Sequence, residues 1–169
     1  GGLAATTIGN YALFGGGYEN TYISVVDAYN TSLTRTNPIA LSNARDDLAA
    51  TAIGNYALFG GGDKNTYISV VDAYNTSLTR TTPTALSIGR DDLAATAIGN
   101  YALFGGGHGD GSNVNTVDAY ANFNLTGKLL VTVGSKYDFG SGETTATTTL
   151  ITANNPATGY IKYKKGTIS

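Results

Sequence analysis

LAATAIGNYALFGGG, at residues 93–107, is the stretch on which the organisation of the chain depends. It occurs unchanged at residues 48–62 and again at residues 3–17, where Thr7 replaces the alanine found at Ala52. The copies begin 45 residues apart, and a fixed period of this length is typical of repeat proteins. The chain is therefore predicted to be an array of similar structural units.

The repeats divide the 169-residue chain into two regions. Residues 3–47 and 48–92 form two full repeats that differ at seven positions, and a partial third repeat covers residues 93–120. We therefore assign residues 1–120 to the array and residues 121–169 to a C-terminal extension of different sequence.

Each repeat contains four short stretches that are suited to β-strands. In the second repeat these are residues 48–53, 56–59, 68–74 and 78–82. A Gly-Asn pair separates the first two, as in a tight hairpin. Because no stretch has a sustained 3.6-residue apolar spacing, helix should be nearly absent. Four strands at this period suit one blade of a β-propeller, so the predicted fold class is all-β.

The residues at the repeat boundaries resemble those of the kelch repeat. Arg45 precedes a strand of small residues, Gly60 and Gly61 end the second strand, Tyr74 ends the third, and Arg90 lies at the next boundary. The resemblance implies that each repeat forms a four-stranded blade of a propeller. It covers residues 1–120, about two thirds of the chain.

The chain departs from the kelch pattern at one position. The family's usual Trp is replaced by Thr36 and Thr81, and we expect Leu33 and Leu78 to fill the space that the Trp would occupy. Near-identical repeats of this kind also resemble those in hypothetical proteins and tail-associated proteins of Gram-positive bacteria and their phages.

The C-terminal extension is also predicted to be β-structure. Residues 129–133, 144–152 and 160–164 are interpreted as strands, and residues 137–142 as a turn. The extension either caps the last blade or makes oligomer contacts, because a terminal repeat otherwise exposes an apolar face. The alternative is an independent binding module.

Composition excludes several classes of function. The chain contains no Cys, so a disulfide, a thiolate zinc site and a cysteine nucleophile are ruled out. A formal net charge of −2 argues against nucleic-acid binding, and the apolar stretches are too short to span a bilayer. The sequence predicts no cofactor.

The charged residues of the repeats have a structural and a catalytic interpretation. Paired aspartates such as Asp91 and Asp92 could bind Ca²⁺ or serve as acid and base. Because the same pattern recurs in successive repeats, the structural interpretation is favoured, with carboxylates capping backbone N–H groups and pairing with Arg across blade boundaries. His108 is the only histidine and has no evident catalytic partners. The sequence therefore predicts no enzyme and no metal site.

The candidate ligand-binding residues lie where the repeats differ, mostly in the loop after the triple glycine. A constant frame that presents varied loop side chains is a common way to build a binding surface. Neutral drift at exposed sites is the alternative. The candidate residues are Tyr18, Glu19, Asp63, Lys64, His108, Asp110, Asn37 and Thr82.

These features favour a non-catalytic binding or display protein on a phage tail or bacterial surface. Its expected partner is a cell-surface carbohydrate or protein, and its expected location is extracellular. The alternative is a structural fibre or virion component in which the repeats are a spacer and the extension drives assembly. Since propellers typically have four to eight blades, three repeats require further blades or a homo-oligomer. Two chains could form a six-bladed ring, or the extension could form a trimer.

Overall fold

The computed structural model describes residues 1–122 and five further segments, 128–130, 136–138, 143–145, 150–152 and 160–162. Within these residues every regular element is a β-strand, and the strands pair antiparallel throughout. The prediction of an all-β fold is therefore confirmed for the described part of the chain.

The first two repeats form two matching four-stranded sheets, which we call the first and second sheets. The first consists of β1 (Ala4–Ile8), β2 (Tyr11–Gly15), β3 (Val26–Asn30) and β4 (Arg35–Thr36), in that order. The second consists of β5 (Ala49–Ile53), β6 (Tyr56–Gly60), β7 (Val71–Asn75) and β8 (Arg80–Thr81). Each repeat is therefore one meander of four strands.

The third sheet combines the partial repeat with a strand of the extension. It contains β9 (Ala94–Ile98), β10 (Tyr101–Gly105), β13 (Val117–Asn122) and β18 (Tyr160–Lys162). A hairpin of β11 (His108–Gly109) and β12 (Ser112–Asn113) precedes β13. The remaining strands pair as β14 (Lys128–Leu130) with β17 (Leu150–Thr152) and as β15 (Lys136–Asp138) with β16 (Glu143–Thr145).

Strand β18 occupies the position that β4 and β8 occupy in the other sheets. In the register of the first two sheets, Tyr29 pairs with Arg35 and Tyr74 with Arg80. In the third sheet the equivalent tyrosine, Tyr120, pairs with Lys162. A distant segment thus supplies the fourth strand that the partial repeat lacks.

The strand predictions for the repeats are correct at the hairpin and inexact at the outer edge. Strands β5 and β6 and the intervening turn lie where the sequence places them. The third strand begins at Val71 and not at residue 68, because Ile68 donates its N–H to the Gly62 carbonyl within the loop. The fourth strand is only two residues long, since Leu78 has a φ of 60° and belongs to the preceding turn.

The extension predictions are confirmed in part. Strands β14, β16, β17 and β18 overlap the predicted ranges 129–133, 144–152 and 160–164 at the residues that the structure describes, and β14 and β16 each begin one residue earlier than predicted. The predicted turn at residues 137–142 is wrong at its start, because Tyr137 pairs with Thr144 in a hairpin. The other parts of these predictions, residues 131–133, 139–142, 146–149 and 163–164, lie outside the described residues.

The three sheets pack face to face, with their first strands β1, β5 and β9 in contact. Two apolar layers result, one between the first and second sheets and one between the second and third. The first layer buries Ile8, Leu13 and Val26 against Phe59 and Tyr74. The second repeats these contacts with Ile53, Leu58, Val71, Phe104 and Tyr120. We call each of these contacts between neighbouring sheets a joint.

The two leucines expected to replace the missing Trp have different environments. Leu78 packs against the first apolar layer, as expected, whereas the side chain of Leu33 is 80% exposed. Both have the same positive φ, so the difference comes from what faces them and not from the backbone.

Candidate binding ridge

An arginine at the end of each full repeat fastens one sheet to the next. The Arg45 Nη2 donates to the Phe59 carbonyl over 3.2 Å and to the Asp72 Oδ2 over 3.0 Å, and both charged side chains are fully buried. The Ser42 backbone N–H and hydroxyl also donate to this carboxylate. Burial lowers the pKa of Arg45, and the Asp72 carboxylate opposes that effect.

The second joint repeats this arrangement. The Arg90 Nη2 donates to the Phe104 carbonyl and to Asp118, while the N–H and hydroxyl of Ser87 donate to the same carboxylate. We call the segments of pattern Leu-Ser-x-x-Arg, residues 41–45 and 86–90, the clamps. Because a buried charge is costly unless paired and hydrogen-bonded, these contacts give the repeated Asp and Arg a structural role.

A buried tyrosine adds a further hydrogen bond to each joint. Tyr74 donates its hydroxyl to the Ile39 carbonyl, and Tyr120 to the Thr84 carbonyl, each over 2.8 Å. Burial raises the pKa of both hydroxyls, so they remain neutral donors well above neutral pH. Neighbouring sheets are therefore held together by these hydrogen bonds as well as by their apolar layers.

The triple glycine allows the chain to turn where two sheets meet. Gly61 has a φ of 72°, and a Cβ atom at this position would lie 2.6 Å from the carbonyl oxygen of Arg90. Only glycine satisfies both the backbone angle and the close approach. The loop that follows begins from this fixed point.

The first variable position of each loop is held by paired backbone hydrogen bonds. Asp63 and Asp46 exchange N–H···O bonds of 2.9 and 3.1 Å, and His108 and Asp91 exchange bonds of 2.9 and 3.0 Å. In the first loop Tyr18 donates its N–H to the Gly1 carbonyl and accepts from the Gly1 amino group, each over 2.8 Å. The side chain varies between repeats while its backbone is fixed in the same way.

The loop side chains of neighbouring sheets contact one another. The Tyr22 hydroxyl donates to Asp63 Oδ2 over 3.3 Å, and its ring lies edge-on to that of Tyr18 at 5.2 Å between centroids. In the next loop Tyr67 Oη and His108 Nδ1 lie 2.7 Å apart, within hydrogen-bond distance. We call this row, Tyr18, Tyr22, Asp63, Tyr67 and His108, the ridge.

The structure places most of the predicted binding residues on or beside the ridge. Tyr18, Asp63 and His108 are members, and Glu19 and Lys64 are exposed next to them. Asp110 is exposed and lines a depression of about 380 Å³ with Asn65, Thr66, Tyr67 and Gly89.

Asn37 and Thr82 belong to a different part of the sheets. The Asn37 amide donates to the Asp27 carboxylate of its own sheet and accepts from Arg35 over 3.4 Å. Thr82 is the equivalent residue of the second repeat, and it is exposed. Asn37 therefore makes its hydrogen bonds at the outer edge of the first sheet. The structure does not bring Asn37 or Thr82 into the ridge.

Tyr22 and Tyr67 were not predicted from the sequence. They are identical in the two full repeats, so a comparison of those repeats could not select them. An aromatic residue four positions after the variable one, in an otherwise polar loop, was the available signal. Desolvation, followed by the nearby carboxylates, raises the pKa of Tyr67, which keeps its hydroxyl neutral.

Carboxylates also lie near the first strands of the sheets. Asp47 and Asp92 line a second depression of about 240 Å³ with Gly2, Leu3, Leu48 and Leu93. Desolvation, then the neighbouring acid, raises the pKa of Asp46 and of Asp91. Within the described residues no group of three His, Cys, Asp or Glu side chains is arranged to hold a metal ion. The described part also contains no helix that could cross a membrane.

No protein-family model and no curated protein matches the chain. Among solved structures it is similar to the structure of YjhT, with a TM-score of 0.62 and 16% sequence identity. The likeness is one of fold. It covers 71% of this chain and 42% of YjhT, so the chain spans less than half the length of that protein.

Proposed function

We propose that the chain is a non-catalytic binding protein whose ridge recognises a carbohydrate or protein on a cell surface. The observation that carries the proposal is the pair of hydrogen bonds that holds the first variable position of each loop. These bonds fix Tyr18, Asp63 and His108 in a row while their side chains differ. A rigid frame with varied loop side chains is well suited to recognition.

We further propose that the three sheets are kelch-like blades of a β-propeller. Three features support this architecture: four antiparallel strands per repeat, first strands that contact one another, and a buried arginine at each boundary. In a propeller the loops after the second strands would share one face, which agrees with the observed continuity of the ridge.

The chemistry of the ridge suits a polar ligand with some apolar surface. Tyr18 is exposed and offers a ring face, while Asp63 and the Tyr22 hydroxyl offer hydrogen-bonding groups beside it. Carbohydrates combine apolar ring faces with hydroxyl groups, and they are the ligand class that we favour. The expected setting is extracellular, on a phage tail or bacterial surface, and it rests on the resemblance of the repeats alone.

Binding of the intact protein to an array of bacterial surface glycans tests this proposal. We expect Tyr18→Ala and Asp63→Ala each to weaken binding about tenfold or more, because central interface residues of this kind carry most of the binding energy. Ile39→Ala is the control, since Ile39 is 59% exposed and does not lie on the ridge. Unchanged binding by both ridge variants would contradict the proposal.

A structural role for the repeats is the second candidate. It is favoured by β18, which joins the C-terminal extension to the edge of the third sheet. On this hypothesis the array is a spacer and the extension drives assembly. The same ridge variants distinguish the two roles, because a spacer would retain wild-type attachment to its particle or cell surface after the loss of Tyr18 and Asp63.

A further inference from the structure

The first sheet presents a face that is buried in the other two sheets. Phe59 and Phe104 are fully buried in the joints, whereas the equivalent Phe14 is 42% exposed. Phe14 and Tyr29 nevertheless have the same edge-on geometry as Phe59 and Tyr74, with ring centroids 6.1 and 5.9 Å apart. The first sheet therefore has an open face that is already shaped like half of a joint.

The third sheet presents the opposite half of a joint. Ile98 is 68% exposed and Val117 is 60% exposed. Their equivalents in the second sheet, Ile53 and Val71, are buried against the third sheet at 4% and 0%. The two ends of the array thus expose the two surfaces that pack together inside it.

The carboxylate on the open face differs from its buried counterparts in one respect. Asp72 is bound by the clamp of the preceding sheet in addition to the Arg80 Nε of its own sheet at 3.7 Å, whereas Asp27 is bound within its own sheet by Asn37 and, at 3.4 Å, by the Arg35 Nε. The second repeat has Thr82 at the position of Asn37. The first sheet therefore does not need a clamp from outside to satisfy this carboxylate.

The third repeat lacks the clamp that the first two repeats carry. After Tyr120 the sequence contains no Leu-Ser-x-x-Arg pattern, and residues 121–169 include five lysines and no arginine. A joint between the third sheet and a first sheet would have to form without a clamp. The two ends are therefore compatible: Asn37 binds the carboxylate of the first sheet, and the third repeat has no clamp that would otherwise bind it.

We propose that a second copy of this chain packs head to tail on the first, with the third sheet of each copy against the first sheet of the other. Two copies then share two equal joints and close a ring of six sheets, within the usual range for propellers. Phe14 and Tyr29 of one copy cover Ile98 and Val117 of its partner copy. The proposal concerns assembly and does not depend on what the ridge binds.

Sedimentation velocity of the full chain tests this proposal. We expect twice the 17.4 kDa mass of one chain for the wild type. Phe14→Glu and Ile98→Glu should each weaken association by at least about 30-fold, since each places a charge in both joints. Both residues are exposed in the single chain, so neither change should unfold it. Ile39→Glu is the control, because Ile39 is 59% exposed and lies on neither end face.

Mixing the two variants decides the direction of packing. In a head-to-tail pair, the unsubstituted third sheet of the Phe14→Glu chain packs on the unsubstituted first sheet of the Ile98→Glu chain. The mixture should therefore associate through this joint and regain the two-chain mass. A wild type that stays at one chain mass up to millimolar concentration would overturn the proposal. Open polymers that grow with concentration, or a mixture that does not reassociate, would also overturn it.

Discussion

The first and second sheets have the same sequence in their central strands and different surroundings. YALFG and VDAYN occur in both, yet Phe59, Asp72 and Tyr74 are fully buried while Phe14 is 42% exposed. The difference lies in the clamp, residues 41–45, which covers the second sheet, whereas the first sheet is not covered by a clamp from the described residues. Burial in this molecule is therefore a property of the joint and not of the strand. The unfolding measurements below are best made in the Ile98→Glu chain, because association of two copies should not contribute to its stability.

Removal of the clamp arginine should have the largest effect. Arg45→Ala leaves the Asp72 carboxylate buried without its main cation, and the loss of one partner of a buried pair costs roughly 3–5 kcal/mol. Arg35→Ala removes an ion pair between two partly exposed side chains, Arg35 and Asp27, and should lower the unfolding free energy by at most about 1 kcal/mol. Urea unfolding of the two variants measures both values, and equal losses would contradict the role of the clamp.

Truncation of the equivalent aromatic residues should follow the same order. Phe59→Ala creates a cavity in the first apolar layer and should cost about 3–5 kcal/mol of unfolding free energy. Phe14→Ala should cost about 1 kcal/mol, because its side chain is only partly removed from water. Thermal and urea unfolding check both values. A loss for Phe14→Ala as large as that for Phe59→Ala would mean that the first face is covered within the single chain.

Removal of the tyrosine hydroxyls provides a smaller test. Tyr74→Phe loses the hydrogen bond to the Ile39 carbonyl and should cost about 1 kcal/mol. Tyr29→Phe is the matched change on the open face, and it should lie within about 0.5 kcal/mol of the wild type. The difference in urea midpoint between the two variants is the measurement, and a zero difference would argue that this bond adds nothing to the joint.

The smallest expected effect is on the pH dependence of stability. The pKa of Asp91 is raised in the folded chain, so the folded state keeps this proton to a higher pH than the unfolded state does. Stability should therefore decrease as the pH rises from the ordinary carboxyl value through the raised pKa. Asp91→Asn removes this decrease and should be slightly more stable than the wild type at pH 7. Unfolding free energies measured from pH 3 to pH 7 check the sign, and a less stable variant would contradict it.

The all-β fold class could be predicted from the sequence because the local signals repeat. The Gly-Asn turn at Gly54, between two short apolar stretches, correctly predicted strands β5 and β6. The outer strand β8 was predicted too long, since the turn at Leu78 depends on a positive φ that a β-prone sequence does not indicate. Strand β18 could not be assigned to the third sheet, because its pairing with β13 joins segments far apart in the chain.

The candidate site was predictable only where the repeats differ. Tyr18, Asp63 and His108 were found in this way, and Tyr22 and Tyr67, which are identical in the two full repeats, were missed. Asn37 also varies between repeats, yet it binds Asp27 at the edge of its sheet. Variation identifies positions that are free to change, and only the packing of the sheets separates a loop residue from a partner of a carboxylate.

A double-mutant cycle between Arg45 and Asp72 tests the central claim most directly, with Arg35 and Asp27 as the parallel cycle. The clamp contact is 3.0 Å long between fully buried groups, and the parallel contact is 3.4 Å long between partly exposed groups. We predict a coupling free energy of roughly 2–3 kcal/mol for the first pair and below about 1 kcal/mol for the second. Equal coupling in the two cycles would contradict the account.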